Sequence, residues 1–319
     1  MTSSTPSYKY FLVTYPAPYI AHVQINRPEK LNAFFEAMWL EFRTIFDTLS
    51  YSPDVRSIIL SGAGDRAFSA GLDVEAAAQD GVLTEKDGRT TDVARKAQAI
   101  KRHVDEFQAC ISSVERCEKP VICVLHGYSF GLSIDISTCA DIRICTTDVK
   151  MAVKEVDIGL AADIGTLSRL PKVVGSFSWV KDVCLSARVF GAEEALRVGF
   201  VSYVEPTKEK ALEKALGIAK LLAEKSPVAV QGTKEILNHA RDNRLADSLR
   251  YSGVWNSAAI QTQDVKDAML RVKSSFTPKK LRNDLSFKGL PGRVPIPKRW
   301  RDKYNAAPTT LLQERKRTG

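Results

Sequence analysis

The segment from 121 to 135 reads Val121-Ile122-Cys123-Val124-Leu125-His126-Gly127-Tyr128-Ser129-Phe130-Gly131-Leu132-Ser133-Ile134-Asp135. Its apolar beginning, Val121–Leu125, predicts a short buried strand, and the small residues that follow let the backbone turn sharply. A helix then begins near Ser133, and the first amides of a helix have no partners inside it. A buried strand that turns directly into a helix is typical of an α/β fold.

The same order occurs earlier in the chain. The apolar run Ser57–Gly62 is followed by Arg66-Ala67-Phe68-Ser69-Ala70-Gly71-Leu72-Asp73, another turn of small residues. Each turn can present backbone N–H groups to a ligand, and two such groups aimed at one carbonyl oxygen form an oxyanion hole.

Strands and helices alternate through the body, and helices dominate from residue 192 onward. The pattern predicts a hairpin at 11–14 and 20–25, strands at 55–61, 121–125, 142–145 and 151–153, and helices at 33–49, 91–115, 133–139, 165–170, 208–225, 228–241 and 247–272. A polar loop at 78–89 is expected to flank a pocket. The prediction is an α/β body with a helical C-terminal subdomain.

Charge is distributed unevenly along the chain. The 319 residues carry a net charge of +9, yet residues 277–319 hold 12 Lys/Arg and 3 Asp/Glu, which leaves 34 of each sign in residues 1–276. The tail also holds five of the 14 prolines, so we expect it to be irregular and solvated. Because the body is neutral, no nucleic-acid partner is expected.

Metal and nucleotide chemistry find no support in the motifs. The six cysteines form no Cys-x-x-Cys pair and read as buried reduced thiols, and the four histidines lack ligand spacing. His126 is expected to be a packed turn residue. We predict no metal, no nucleotide cofactor and no membrane span.

Asp135, Glu155 and Asp163 lie within one short window among apolar residues. If they share a pocket they repel one another, which raises at least one pKa toward neutrality and lets a carboxyl group both take and give protons. Spacing alone favours a structural alternative, in which Asp135 starts a helix, Glu155 makes a surface ion pair and Asp163 caps the helix that follows it.

Four segments in order resemble the successive signatures of the crotonase (enoyl-CoA hydratase/isomerase) superfamily. They are Asn26–Ala33 (NRPEKLNA), Phe68–Asp73 (FSAGLD), His126–Tyr128 (HGY) and Cys139–Arg143 (CADIR). Val153–Leu167, followed by Arg169–Lys172, is similar to the delta-3,5-delta-2,4-dienoyl-CoA isomerases within that superfamily. The resemblance covers about Tyr10 to Ser274 and implies a spiral of ββα turns.

The resemblance also implies site residues. Hydratases of the superfamily use two glutamates, matched here by Asp135 and Glu155, while Asp163 stands where hydratases carry glycine and dienoyl isomerases an acid. Asp163 is then the base that removes the C2 proton of a 3,5-dienoyl-CoA, Glu155 the acid that protonates C6, and Asp135 tunes both. CoA is part of the substrate, so no cofactor is expected.

The family pattern places the oxyanion amides on Ala70 and Leu132. Most relatives have three glycines where this chain has Gly131-Leu132-Ser133, and leucine takes a positive φ only at a cost, so Leu132 is expected to crowd the acyl chain. The predicted substrate-binding residues are Lys30, Ala33, Ser69, Gly71, Leu72, Asp73 and Gly131. Lys30 is either a phosphate contact or a plain loop lysine.

We expect a crotonase spiral core with the active site at 1–205, a helical oligomerisation subdomain at 206–276 and the irregular basic tail at 277–319. The resemblance implies a homotrimer or homohexamer. Neither a secretory nor a mitochondrial leader is evident and the chain does not end in Ser-Lys-Leu. Since relatives work in peroxisomes or mitochondria, peroxisome is expected first, with mitochondrion or cytoplasm as alternatives.

Two other functions stay open. Glu155 and the Gly-Leu-Ser turn also suit a 2-enoyl-CoA hydratase or a 3,2-enoyl-CoA isomerase. Outside catalysis, the basic tail permits an RNA-binding crotonase homologue.

Overall fold

The computed structural model describes residues 7–76 and 92–275, with side chains up to residue 270. The strands in these ranges are β1 (Phe11–Ala17), β2 (Tyr19–Ile25), β3 (Val55–Gly62), β4 (Ala67–Ser69), β5 (Val121–Leu125), β6 (Tyr128–Phe130), β7 (Ile142–Thr146), β8 (Lys150–Ala152) and β9 (Tyr203–Glu205).

The α-helices in the same ranges are α1 (Glu36–Tyr51), α2 (Val93–Ile111), α3 (Ser113–Arg116), α4 (Leu132–Cys139), α5 (Thr166–Val173), α6 (Phe177–Ser186), α7 (Ala192–Arg197), α8 (Lys208–Ala223), α9 (Pro227–Asp242), α10 (Leu245–Ala259) and α11 (Gln263–Ser275). Short 3-10 helices cover Pro28–Lys30 and Glu155–Ile158.

These strands form two sheets, and in each sheet neighbouring strands follow one another in the order of the chain. One has six strands in the order β1-β2-β3-β5-β7-β9, and the other has three in the order β4-β6-β8. Only β1 and β2 pair antiparallel; the other pairs are parallel. The pairs β3–β4, β5–β6 and β7–β8 thus each give one strand to each sheet before a helix follows, which confirms the α/β class and the repeated ββα order.

Both faces of the larger sheet are covered by apolar side chains. On one face α8 places Ala211, Ala215, Ala219 and Ala223 against a strip of isoleucine and valine from β2, β3, β5 and β7. The four-residue spacing puts these alanines on one side of the helix, and their small size lets it approach the sheet closely. The main core lies on the other face and includes α1 and α4.

The elements confirm the predicted hairpin and contradict one of the predicted helices. The hairpin at 11–14 and 20–25 is confirmed by the register of β1 and β2. The single helix predicted at 247–272 is wrong, because the chain makes two helices, α10 and α11, separated by residues 260–262. The polar loop at 78–89 and the basic tail at 277–319 lie outside the described residues.

The chain divides into two compact units. The first runs to Thr262, and the second begins at Gln263 and is described through α11. The domain boundaries predicted near residues 205 and 276 stay a prediction, although α8 packs on the sheet of the first unit. Over the ranges 7–76 and 92–275, no helix is both long and apolar enough to cross a membrane.

Candidate active site

Glu155 opens the 3-10 helix that follows β8, and its carboxyl group lies in an unusual environment. Its Oε2 is buried and has no hydrogen-bond partner among the described residues. Burial, and next the charge of Asp135, raise the pKa of Glu155 to about 7. A carboxyl group in this condition holds its proton near neutral pH and can release it to a substrate.

Gly131 makes room for this carboxyl group. The amide of Gly131 donates to Ala152 O at 2.9 Å, which fixes the turn before α4 beside the end of β8. A Cβ at position 131 would lie 3.2 Å from Glu155 Oε1, and the φ of +51° is one that side chains rarely adopt. Glycine is therefore required here both by space and by backbone conformation.

Asp135 lies on α4 and is buried, with 1% of its surface exposed. Its Oδ1 accepts two hydrogen bonds from one residue, Thr166: from the amide at 2.6 Å and from the hydroxyl at 2.8 Å. Burial raises the pKa of Asp135 to about 6, and these hydrogen bonds hold it from rising further.

Asp163 lies on the segment between the 3-10 helix and α5, and its side chain is exposed. Its carbonyl oxygen accepts a hydrogen bond from Gln108 Nε2 on α2 at 2.5 Å. The negative charge of Asp163 contributes to the raised pKa values of both Asp135 and Glu155. The fold thus brings the three acids into one electrostatic neighbourhood.

The structural alternative for these acids fits less well. The N-cap of α5 is Gly165 with no side-chain cap, and the carboxylate that meets the first amide of α5 is Asp135 rather than Asp163. No ion pair of Glu155 occurs in the described ranges. Asp135 does lie in the first turn of a helix, as that alternative expected.

An ion-pair network connects α5 to α3 and α9. Arg169 lies 3.0 Å from Glu115 Oε2 and donates to Ser112 Oγ at 2.7 Å, and Arg241 pairs with Glu115 at 2.6 Å. The positive charge of Arg169 lowers the pKa of Asp135 but less than the Thr166 hydrogen bonds do. The sequence motif contained Thr166 and Arg169, but no local signal paired them with Asp135 or Glu115.

The two small-residue turns lie against each other, and the hydrogen bonds of their amides bear on the choice of oxyanion donors. A Cβ on Gly71, whose φ is +100°, would lie 3.0 Å from Phe130 O and 3.6 Å from the amide nitrogen of Leu132. The amide of Ala70 is not free, because it donates to Leu31 O at 2.9 Å. Among hydrogen bonds between described residues, the amides of Leu72 and Leu132 have no acceptor. Leu72 therefore replaces Ala70 as the candidate donor.

Leu132 also differs from expectation in its conformation. The positive φ in this turn falls on Gly131, and Leu132 is the first residue of α4. Its side chain is 4% exposed and belongs to the main hydrophobic core. The predicted backbone cost at Leu132 is therefore absent, because Gly131 carries the positive φ of this turn.

A cleft with a volume of about 340 Å³ opens beside Leu72 and is lined by Lys30, Ala33, Leu72 and Asp73, among others. Lys30 is exposed and lies 3.1 Å from Glu75. The Asp73 carboxylate is engaged by Arg27 at 2.7 Å and by the amide of Ala76, so it supports the turn. The buried hydroxyl of Ser69 donates to Asn32 O and likewise holds the turn together.

The thiol of Cys184 and the imidazole of His126 belong to buried residues. Cys184 on α6 is buried, and its thiol pKa rises to about 11 because of burial and then the charges of Glu155 and Asp135. His126 is buried as a turn residue, with Nε2 2.9 Å from Gly64 O. In the described part of the chain, no cluster of three or more metal-ligating side chains occurs.

Comparison with known proteins gives consistent matches. A family model described as enoyl-CoA hydratase/isomerase matches residues 17–277. The chain is 43% identical over 259 residues to the human protein named "Delta(3,5)-Delta(2,4)-dienoyl-CoA isomerase, mitochondrial", covering 81% of this chain and 77% of that protein. It is 36% identical over 250 residues to an Arabidopsis thaliana protein of the same name, marked peroxisomal, covering 78% and 88%.

Among solved structures, the fold matches that of a putative enoyl-CoA hydratase from Streptomyces coelicolor A3(2). The TM-score is 0.75 at 26% sequence identity, and the match covers 88% of this chain and 95% of that one.

Proposed function

The chain belongs to the enoyl-CoA hydratase/isomerase (crotonase) family, and from this premise we propose that it converts a 3,5-dienoyl-CoA into the conjugated 2,4-dienoyl-CoA in fatty acid β-oxidation. Relatives at 36% to 43% identity are named for this reaction. The charges of Asp135 and Asp163 both contribute to the raised pKa of Glu155, which supports assigning the three acids to one site.

The reaction begins at the thioester carbonyl. The amides of Leu72 and Leu132 donate to its oxygen, so the negative charge that develops there meets dipoles that are already oriented. This makes the C2 proton more acidic. We place the CoA portion along the cleft beside Leu72, which is lined by two cationic side chains, Lys30 and Arg66.

Asp163 removes the C2 proton as a carboxylate, and the electrons spread over the diene to give a dienolate. Glu155 then donates its proton to C6, which places the double bonds at C2 and C4 in conjugation with the thioester. Afterwards Asp163 carries a proton and Glu155 lacks one. Asp163 is exposed and returns its proton to water, whereas Glu155 is reprotonated because its buried charge is disfavoured.

The single observation that carries this proposal is that burial and the charges of Asp135 and Asp163 raise the pKa of Glu155 toward neutrality, while Asp163 itself is exposed. Glu155 has a buried oxygen without a partner, and Asp163 contributes to the pKa of about 7 at Glu155. One group is thus fit to give a proton while the other is fit to take one.

The test is to mix the purified protein with a 3,5-dienoyl-CoA and follow the near-ultraviolet absorbance of the conjugated product, with a 2-enoyl-CoA hydration assay in parallel. Conjugation without hydration is expected. Absence of both activities would overturn the proposal and favour a non-catalytic role such as RNA binding.

Asp163→Asn and Glu155→Gln should each lower kcat by roughly 10²- to 10⁴-fold, because each removes one proton-transfer group, with little change in binding of the CoA ester. Asp148→Asn, a change at an exposed acid on the β7–β8 turn, is the matched control and should behave as wild type. Full isomerase activity in either active-site variant would contradict the mechanism.

A hydratase is the second candidate, since the solved structure with the matching fold is named as one. Hydration would use Asp135 and Glu155 as the acid pair, but Asp135 Oδ1 is already held by two hydrogen bonds from Thr166. Hydration activity that survives Asp163→Asn would favour this alternative.

We also propose that the protein needs no separate cofactor, assembles as a homo-oligomer and works in the peroxisome. The reaction moves a proton and needs no cofactor beyond the CoA of the substrate. A homotrimer or homohexamer is expected from the family. The named relatives are mitochondrial in animals and peroxisomal in Arabidopsis thaliana, and peroxisome remains the first expectation for this chain.

A further inference from the structure

Thr166 is a hydrogen-bond donor to the buried carboxyl group of Asp135. It is fully buried, and both its amide and its hydroxyl donate to Oδ1 of Asp135, at 2.6 Å and 2.8 Å. Thr166 is also the first residue of α5, so its amide belongs to the positive end of that helix. Hydrogen bonds of this kind favour the charged form of a carboxyl group.

We propose that Thr166 is a positioning residue that holds Asp135 as a carboxylate, and that this fixed negative charge keeps Glu155 protonated between turnovers. The inference rests on the proposed role of Glu155 as the acid that protonates C6. Asp135 then acts through its charge and does not carry a proton to substrate.

The surrounding charges are consistent with this division of roles. Asp135 is the largest electrostatic contributor to the raised pKa of Glu155, ahead of Asp163. If Asp135 instead took a proton, Glu155 would lose the negative charge that contributes most to its raised pKa and would ionise more easily, because the two sites titrate as a coupled pair.

Four other groups interact electrostatically with Asp135: Arg169 on α5, Asp163 on the segment before α5, Cys139 on α4 and Cys184 on α6. Arg169 is itself paired with Glu115 on α3. Arg169 also favours the carboxylate, but part of its charge is already taken up by Glu115. Removal of the Thr166 hydroxyl therefore changes Asp135 without removing any charged group.

The matched control lies one turn along α4. Thr138 is also buried, and its hydroxyl donates to the backbone carbonyl of Asp135 at 2.8 Å rather than to the carboxylate. Thr138→Val thus removes the same group from a buried contact with the same residue, but leaves the carboxylate of Asp135 unchanged.

The experiment measures kcat and KM against pH for the wild type, Thr166→Val, Thr166→Ser and Thr138→Val. In Thr166→Val the alkaline limb of kcat, where Glu155 loses its proton, should move about one pH unit toward acid, with KM nearly constant. Thr166→Ser should restore the wild-type profile, and Thr138→Val should keep it. If Thr166→Val does not fold, Thr166→Ala removes the same hydroxyl and should give the same shift.

A second readout does not depend on turnover. Infrared titration follows the carbonyl band of the protonated Glu155 side chain, assigned by its absence in Glu155→Gln, and this band should disappear at lower pH in Thr166→Val than in the wild type. A wild type that does not isomerise would overturn the proposed function, whereas the band would still test the role of Thr166. Superimposable profiles and bands in Thr166→Val and wild type, or an equal shift in Thr138→Val, would overturn the inference.

Discussion

At the scale of single residues, the buried carboxyl group of Glu155 lowers the stability of the folded protein. A carboxyl oxygen that is buried without a partner destabilises the folded state as soon as the group ionises. The protein tolerates this because the same environment keeps the proton available for transfer. Replacing Glu155 with a residue that cannot ionise should therefore raise the stability of the protein and lower its activity.

Glu155→Gln should stabilise the protein at alkaline pH while it lowers turnover. The pKa of Glu155 is about 7 in the folded state against 4.5 in the unfolded state, so wild-type stability is fully present below 4.5 and is lost as pH rises through 7. The glutamine variant lacks this loss. We expect an advantage of roughly 2 kcal/mol, or a few degrees in Tm, at about pH 8, and almost none at about pH 4.5.

Thermal unfolding of both proteins across this pH range gives the measurement. The histidines His22 and His126, whose pKa values burial lowers to about 4, contribute equally to both proteins and cancel in the difference. Glu118→Gln, at an exposed position, is the control and should show no pH-dependent advantage. An advantage for Glu155→Gln that is constant with pH would contradict the argument.

Residue types identified the three acids but could not assign every donor around them. The choice between the amides of Ala70 and Leu72 depends on Leu31 O, which lies far away in sequence and occupies the amide of Ala70. In the same way, the carboxylate of Asp73 looks free in the motif until Arg27 is placed against it. Such pairings come from tertiary contacts and leave no local signal.

At the scale of elements, α2 links the hydrophobic core to the proposed base. Trp39 on α1 stacks on Phe107 with ring centroids 3.9 Å apart, and the next residue, Gln108, donates to the carbonyl of Asp163 at 2.5 Å. The packed ring fixes the helix, and the amide side chain then fixes the backbone that carries the base. Among hydrogen bonds between described residues, the bond from Gln108 is the one made to Asp163.

Gln108→Ala should lower kcat by about tenfold and leave KM nearly unchanged, since a lost neutral hydrogen bond costs about 1 kcal/mol and here loosens the base rather than the CoA site. Steady-state kinetics on the dienoyl-CoA measure this split. Gln98→Ala removes an exposed glutamine from the same helix and should have no effect. A rise in KM with constant kcat would show that Gln108 serves binding instead.

Periodicity predicted two long elements closely. The amphipathic helix at 33–49 and the buried strand at 55–61 appear as α1 and β3, with ends moved by a few residues. Strands β4 and β6 have three residues each, too few for any alternation to be visible, and they are held by pairing with distant strands. The break between α10 and α11 contains neither glycine nor proline, which is why the sequence suggested one helix.

At the scale of the whole molecule, a buried ion pair ties the late helices of the first unit to the sheet. Lys234 on α9 lies 2.8 Å from Asp141 Oδ2 and also donates to the carbonyl of Lys119 at 3.0 Å. The same Asp141 oxygen accepts the amide of Val121 at the start of β5 at 2.7 Å. One carboxylate thus joins α9 to the strand that leads into the oxyanion turn.

Lys234→Met should lower the free energy of unfolding by about 3 kcal/mol, because it leaves the Asp141 carboxylate partly buried without its cation. Asp141→Asn should also destabilise, and the double variant should lose less than the sum of both, which gives a coupling energy of about 1 to 3 kcal/mol. Urea unfolding of the wild type, the two single variants and the double variant measures these free energies. All four are compared at equal protein concentration, because the stability of a protein that assembles depends on its concentration.

The exposed pair Lys210 and Glu213 on α8 provides the matched cycle within the same unit. Both side chains are more than half exposed, at 60% and 70%, so their coupling should be much weaker than that of Lys234 and Asp141. Additive losses at Lys234 and Asp141, equal to those of the exposed pair, would mean that the late helices are held by apolar packing alone.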